Sequence, residues 1–485
     1  MTATVGSETI ELQASLDAFA RLPEWLASAM QPEVVSGSLR RHVPALAAGD
    51  LQLLACVPQR LRAKADQWLA RYQLTVGALN DEPRDVVLVG NLYAPSADVP
   101  DDVDLAAASG DLGVDDWTCW LPDLRLRLHR ETADDALPAL PALVDPDTAA
   151  RVLTDVLRDA GYGEVSIVDC RPDVVRYKPG SRCTVVVRLT YDDSATNRQP
   201  PPLVVMKTHQ GDKGRTAWEA MTALWAQPVA HEGIVALAEP LAYFAEERIL
   251  VQGPLAEDRT LKVLARDAIA DGRSPALDLL RAELAKTARA LAALHHSGAT
   301  YGSTATFAGE LAEVQDVIDR LAITLPELAG AARPLLSRLT GLAEQFPAED
   351  VVPAHHDFRP AQVLLSGGGV GFIDFDGAAM AEPALDLGRF RAKLRDIGIT
   401  VLATAGMADE PELAEHLALM DDLCEHFTDA YRQHSPVSME RVQLWETIDL
   451  VTAMLHAWTK VRLLRVEPRL VVLRHAVDAL GALHM

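Results

Sequence analysis

Apolar residues fall at helical spacing from Leu12 to Met30, and the pattern then changes to strand-like runs. These are Leu51-Gln-Leu-Leu-Ala-Cys-Val57, Trp68-Leu-Ala-Arg-Tyr-Gln-Leu-Thr-Val76 and Asp85-Val-Val-Leu-Val89. The Pro-bearing stretch Leu137 to Pro146 reads as a connector. A helix is expected over Asp147 to Ala160, followed by a second set of strands. Val185-Val-Val-Arg-Leu-Thr-Tyr191 and Leu203-Val-Val-Met-Lys207 are rich in β-branched residues, and the polar turn Asp192 to Pro202 between them predicts a hairpin. From about residue 258 the pattern is helical, except for a short strand-turn-strand near 360–375.

The two strand sets echo each other. Ala70 to Val76 followed by Val86-Val-Leu-Val89 resembles Val185 to Tyr191 followed by Leu203 to Met206, with Asn91 and Leu92 near where the second copy has Lys207. A decayed duplicate and two unrelated antiparallel pairs would both look this way. No 20–50-residue repeat runs through the chain, which argues against a solenoid.

A chain of 485 residues exceeds one compact core, so two or three domains are expected. Charged residues make up 24%, which argues against disorder. The net charge of −24 repels nucleic acid and anionic membranes. No apolar window is long enough to span a bilayer, and the N-terminus shows no basic region followed by an apolar run. The five cysteines are scattered, without a C-x-x-C pair, which fits a reducing cytoplasm and offers no zinc site.

The segment richest in chemistry runs from His355 to Gly377. Val363-Leu-Leu365 and Val370-Gly-Phe-Ile373 are short strands joined by Ser366-Gly-Gly-Gly369, with glycine where positive φ is needed. Closing that hairpin sets 365 opposite 370 and 362 opposite 373. Gln362 and Asp374 then emerge from one end, ~5 Å apart, with Asp357 in the loop before them. Two carboxylates and an amide oxygen suit magnesium, which takes one or two protein ligands and keeps waters and phosphates. An incidental acidic loop is the competing reading. A nucleophile-directing Asp, a metal-binding amide and a second metal Asp beyond a hairpin form the layout of a kinase site.

At these residues the chain resembles the phosphotransferase family of aminoglycoside, choline and maltose kinases, whose loop reads roughly H-x-D-x-x-x-x-N and whose metal aspartate follows in I-D-W or I-D-F. His355, Asp357 and Ile373-Asp374 match, as does Glu382-Pro-Ala-Leu-Asp-Leu387, similar to the family's D-P-x-x-D-L element. Gln362 replaces the usual asparagine, as in maltokinase-like members. The resemblance implies an α+β, bilobal protein-kinase-like fold with an extra N-terminal domain. Residues 1–145 would be a cap-like domain, 146–253 the N-lobe and 254–485 the helical C-lobe. It implies Asp357 as catalytic base, Gln362 and Asp374 on Mg2+, Asp386 anchoring the loop and Lys207 on ATP phosphates. Glu219, on the helix Thr216 to Trp225, would pair with that lysine. Tyr177 to Arg182 would be the phosphate-facing loop, and Val251 and Gly253 would belong to the adenine hinge.

Other nucleotide motifs fail, since Gly211 to Thr216 lacks G-K-[ST] and Gly367 to Gly371 lies inside a hairpin. The resulting expectation is a cytoplasmic ATP-dependent kinase for a hydroxyl of a sugar, amino sugar, aminoglycoside or amino alcohol. Trp445, Glu446, Asp449 and His456 are candidate substrate-lining residues, or one face of a packing helix. The alternative from another class is a pseudokinase serving as a nucleotide-binding or scaffolding module. The oligomeric state is not written in the sequence.

Overall fold

The structure, a computed structural model, describes residues 10–64, 67–78, 82–99, 112, 117–131, 137–178, 180–192, 198–406, 410–481 and 483. Residues 1–9, residues 193–197 of the expected polar turn, and Pro179 of the expected phosphate-facing loop lie outside these. The chain divides into two compact units. One comprises 1–133, 308–345 and 447–485, and the other comprises 134–307 and 346–446. The stretch 254–485 contributes to both units.

In the first unit, β1 (Gln52–Lys64), β2 (Gln67–Gly77), β3 (Arg84–Tyr93), β4 (Thr118–Leu121) and β5 (Leu126–Arg130) form an antiparallel sheet in the order β1-β2-β3-β5-β4. The burial of β2 alternates, and Trp68, Ala70, Tyr72, Leu74 and Val76 face the core as the period of two demands. The continuous helix expected over Leu12 to Met30 is broken. A 3-10 turn covers Leu16–Ala20 and a short helix Glu24–Ser28, with Pro23 extended at its N-cap because its ring cannot continue the preceding turn. Later helices complete this unit: Trp458 Nε1 donates to Phe19 O at 3.1 Å, and Gln13 Nε2 to Arg474 O at 2.9 Å.

The second unit carries β6 (Ile167–Lys178), β7 (Arg182–Tyr191), β8 (Leu203–His209), β9 (Ala236–Leu237), β10 (Pro240–Phe244) and β11 (Ile249–Gln252). Five of these strands form a sheet ordered β6-β7-β8-β11-β10, matching the first unit strand for strand. Each first hairpin also carries two register irregularities. Three of the skipped residues, Leu54, Val168 and Val175, are exposed apolar side chains. The sequence echo is therefore one of whole-sheet topology. Asn91, third from the end of β3, holds the place that Lys207 holds in β8.

The expected helix after the connector runs Pro146–Asp159, with Asp145 Oδ1 accepting from Thr148 N at 2.9 Å. Past β11 come β12 (Arg259–Thr260) and the helices Leu261–Asp271 and Ser274–His295. They are followed by β13 (Val352–Ala354), β14 (Val363–Ser366), β15 (Gly369–Phe372) and β16 (Ala379–Ala381), then the helices Ala384–Ala405 and Glu410–Arg432. This is the expected α+β arrangement, a five-stranded sheet preceding a helical region. Gly388 lets two helices touch, because a Cβ there would lie 2.5 Å from Trp445 Cβ.

Candidate active site

The β14–β15 hairpin has the expected register, with Leu365 opposite Val370 and Val363 opposite Phe372. Gly367 and Gly368 take the positive φ values of its turn. Ile373 N donates to Gln362 O at 3.1 Å, so Gln362 and Asp374 leave the hairpin from the same end. Beneath it lies a run of buried rings. Phe358 meets Phe372 at 4.9 Å and Phe390 at 5.3 Å between centroids, and Phe390 stacks on Phe427 at 4.1 Å. These contacts fix the hairpin on the helices behind it.

The loop before the hairpin hangs on Asp386, which is fully buried. Its carboxylate accepts from His355 N at 2.7 Å, His356 N at 2.8 Å and His295 Nε2 at 3.1 Å. Burial alone would raise this carboxyl, but these donors hold it below its ordinary value. Tyr431 OH lies 2.8 Å from His295 Nδ1 on the far side of the imidazole. His356 sits at φ 66° and Asp374 at φ 73°, two non-glycine residues in the left-handed region on either side of the site. Asp357 follows in the loop, half exposed, with Arg359 at 3.0 Å as its ion-pair partner.

Asp374 is the electrostatic centre. Gln362 Nε2 donates to its Oδ2 at 3.0 Å, and Lys207 Nζ reaches its Oδ1 at 3.3 Å. Arg182 Nη1 lies 3.3 and 3.4 Å from the two carboxylate oxygens. Burial alone would raise the carboxyl, yet Lys207 and Arg182 hold it well below the usual range. Arg182 also reaches Asp376 Oδ2 at 3.1 Å, and His209 Nε2 meets the same oxygen at 2.9 Å, while Asp376 Oδ1 is buried with no hydrogen-bond partner among the described residues. Among the described residues no three His, Cys, Asp or Glu side chains gather as a metal cage. A carboxylate, an amide and an orphaned carboxylate oxygen instead suit a hard cation that keeps most of its shell for water and phosphate.

The family described as "Phosphotransferase enzyme family" (APH) matches residues 186–423, which span β7 to the helix Glu410–Arg432. That segment belongs to the phosphotransferase enzyme family. The chain is similar to a solved glucosamine kinase at 18% identity, over 96% of this chain and 98% of that one, with a TM-score of 0.44. It is similar to choline kinase LicA from Streptococcus pneumoniae at 13% identity, over 68% and 98% of the two chains, with a TM-score of 0.41. A thermostable mutant of an aminoglycoside phosphotransferase matches at 13% identity, over 68% and 99%, with a TM-score of 0.38. No curated protein matches the chain. The family match thus covers the part of the chain that carries Lys207, Asp357, Gln362 and Asp374.

The structure brings Lys207, Gln362 and Asp374 into direct contact, with Asp357 on the adjoining loop. It does not bring Glu219 to Lys207. Glu219 is exposed on the helix Lys213–Trp225, and the lysine's ion pair is with Asp374. Val251 lies within the sheet, opposite Met206 on β8 and Ala242 on β10, and Gly253 N donates to Glu239 O at 2.8 Å just past the strand end. Two of the four proposed substrate-lining residues serve packing instead. Trp445 Nε1 donates to Glu382 Oε1 at 2.6 Å, and buried Glu446 accepts from both Arg391 and Arg395. Asp449 and His456 belong to the other compact unit.

Sequence reasoning passed over His209, and it named Arg182 only as the end of the expected phosphate-facing loop. A signal existed for His209, which lies two residues past Lys207 and so on the same face of β8.

Proposed function

We propose that the protein is an ATP-dependent kinase that phosphorylates a hydroxyl of a small molecule, such as a sugar, amino sugar, aminoglycoside or amino alcohol. The observation that supports this most is the meeting of Gln362, Asp374 and Lys207 at one hairpin end, beside a loop that presents Asp357. In this reading Gln362 and Asp374 hold Mg2+, with the amide turned to present its oxygen. Bound magnesium neutralises charge on the phosphates. Lys207 binds the phosphates, and backbone around Val251 and Gly253 meets the adenine. Asp357 orients the acceptor hydroxyl and takes its proton. Arg359 keeps the Asp357 carboxylate directed, and Asp386 fixes the loop through the amides of His355 and His356.

No helix among the described residues is long and apolar enough to cross a membrane. The direct test is ADP formation from Mg-ATP across a panel of amino sugars, sugars, aminoglycosides and amino alcohols, with wild type beside Asp374→Ala. Turnover with at least one acceptor class, lost in the variant, is expected. Tight Mg-ATP binding with no ADP formed from any acceptor would favour the nucleotide-binding module instead.

A further inference from the structure

We propose that the outward face of the five-stranded sheet in the first unit is a binding site for a phosphate-bearing small molecule, its phosphate held between Arg62 and Arg127 and its ring set against Trp120. The face lies wholly within the first unit and is separate from the hairpin that carries Asp374.

Register places these residues together. Arg62, Leu69, Asn91, Arg127 and Trp120 stand opposite one another in turn across all five strands, so their side chains leave the same side of the sheet. Their strand neighbours Leu61, Trp68, Leu92 and Leu128 point the other way and are buried. The sheet of the second unit has the equivalent row in Arg176, Thr184, Lys207, Leu250 and Tyr243, on the side where Lys207 meets Asp374. In the first unit Asn91 stands at the lysine's place, and a cation is found one strand further on, at Arg127.

The charge of this face opposes that of the chain. Acids outnumber arginines and lysines by 69 to 45 over the whole sequence, yet the five strands hold one acid, Asp85. Asp85 is bonded to Gln73 and Thr75, at the far end of the sheet from Arg62. Arg60 and Arg71 are direct cross-strand partners, a like-charged pairing that weakens a sheet unless an anion offsets it. Burial and the charges of Arg62 and Arg71 hold the Arg60 guanidinium below its ordinary value. Glu131 answers one of these cations, lying 2.6 Å from Arg71. The side chains of Arg62 and Arg127 make no hydrogen bond or ion pair among the described residues.

Two unpaired guanidiniums with an amide between them suit phosphate, because each fork can give two parallel N–H bonds to its oxygens. Arg62 and Arg127 are three strand spacings apart, ~14 Å between backbones, and long side chains from either side can reach a ligand lying over Leu69 and Asn91. Trp120 adds an aromatic surface beside Arg127, backed by Tyr93 at 6.2 Å between ring centroids. It is half-buried and leaves part of its ring for a planar base or the apolar side of a sugar. A nucleotide and a sugar phosphate share this chemistry. The net charge of −24 disfavours a nucleic acid, whose many phosphates feel the field of the whole chain.

The test is titration calorimetry of ATP, glucose 6-phosphate and inorganic tripolyphosphate in magnesium-free, low-salt buffer, against wild type, Arg62→Gln/Arg127→Gln, Trp120→Phe and Lys207→Ala. The melting temperature of each ligand-free variant serves as a folding control. Saturable binding of ATP or glucose 6-phosphate that weakens with added salt is expected. Loss of two charge-assisted contacts predicts an affinity at least about tenfold lower in Arg62→Gln/Arg127→Gln, whereas Lys207→Ala should stay within about twofold of wild type. Preference for ATP would identify the ligand as a nucleotide, and preference for glucose 6-phosphate as a sugar phosphate. In either case Trp120→Phe should weaken binding about threefold. Tripolyphosphate bound as tightly as either, with no effect of Trp120→Phe, would overturn the ring contact. No saturable binding to folded wild type, or binding lost in Lys207→Ala and kept in Arg62→Gln/Arg127→Gln, would overturn the site. Ultracentrifugation covers the other occupant: a salt-sensitive dimer that Arg62→Gln/Arg127→Gln converts to monomer would give this face to a second copy of the chain and overturn the small-molecule site.

Discussion

Gln362 Nε2 donates to Asp374 Oδ2 over 3.0 Å, joining the two ends of the β14–β15 hairpin side chain to side chain. The glutamine is almost fully buried, and its extra methylene relative to asparagine is what spans this distance. Gln362→Asn should therefore fall short, raising the magnesium requirement, and Gln362→Ala should lower turnover at limiting magnesium roughly 10–100-fold, the scale of one lost contact to an ion. High magnesium or manganese should restore part of both losses. Equal rates for Gln362→Ala and wild type at limiting magnesium would place the metal elsewhere.

Asp386 supports the Asp357 loop, and its removal should be felt first as stability. It is fully buried and holds two backbone amides and His295. Asp386→Ala should cost about 3–5 kcal/mol in urea unfolding, as expected when one side of a buried charged contact is lost. The pH dependence follows from the lowered carboxyl. Its contribution is fully present above the unfolded value of about 3.9 and is lost as pH falls below that toward the lower folded value. The acid limb of wild-type stability should thus be steeper than that of Asp386→Ala. Parallel limbs would contradict the assignment.

Much of this site was legible in the sequence because its order is local. Ser366-Gly-Gly-Gly369 dictates a tight hairpin, the hairpin dictates that Gln362 and Asp374 share an end, and the register confirms it. What escaped the sequence is set by tertiary contact. Arg182 and Asp374 are 192 positions apart, and nothing local marks one as the other's partner. Helical spacing showed that Trp445 and Glu446 share an element but could not show that Arg391, Arg395 and Glu382 wait for them in the core. Pro23 is a local signal for the break of the first helix, which apolar spacing alone does not register.

Glu446 offers a test that separates packing from substrate contact. Its carboxylate holds two buried guanidiniums, so Glu446→Gln should destabilise by about 3–5 kcal/mol. The surviving folded enzyme should keep its KM for the acceptor. A raised acceptor KM at unchanged stability would return this residue to the substrate site.

Lys207 and Glu219 are separated in the structure, and kinetics can show whether they work together. Lys207→Ala should raise the KM for ATP. Glu219→Ala should leave nucleotide-free stability within about 0.5 kcal/mol, as for an exposed helix residue. With Lys207 paired to Asp374, Glu219→Ala should also leave the KM for ATP unchanged. A raised KM would return Glu219 to the lysine.

The central claim is that Asp357 acts on the acceptor hydroxyl while the hairpin and Lys207 hold the nucleotide. The most direct measurement pairs Mg-ATP affinity with single-turnover phosphorylation for wild type and Asp357→Asn. The account predicts affinity within a few-fold of wild type and a rate lower by at least about 100-fold, the scale of a positioned general base. An affinity loss equal to the rate loss, or a rate unchanged from wild type, would contradict it.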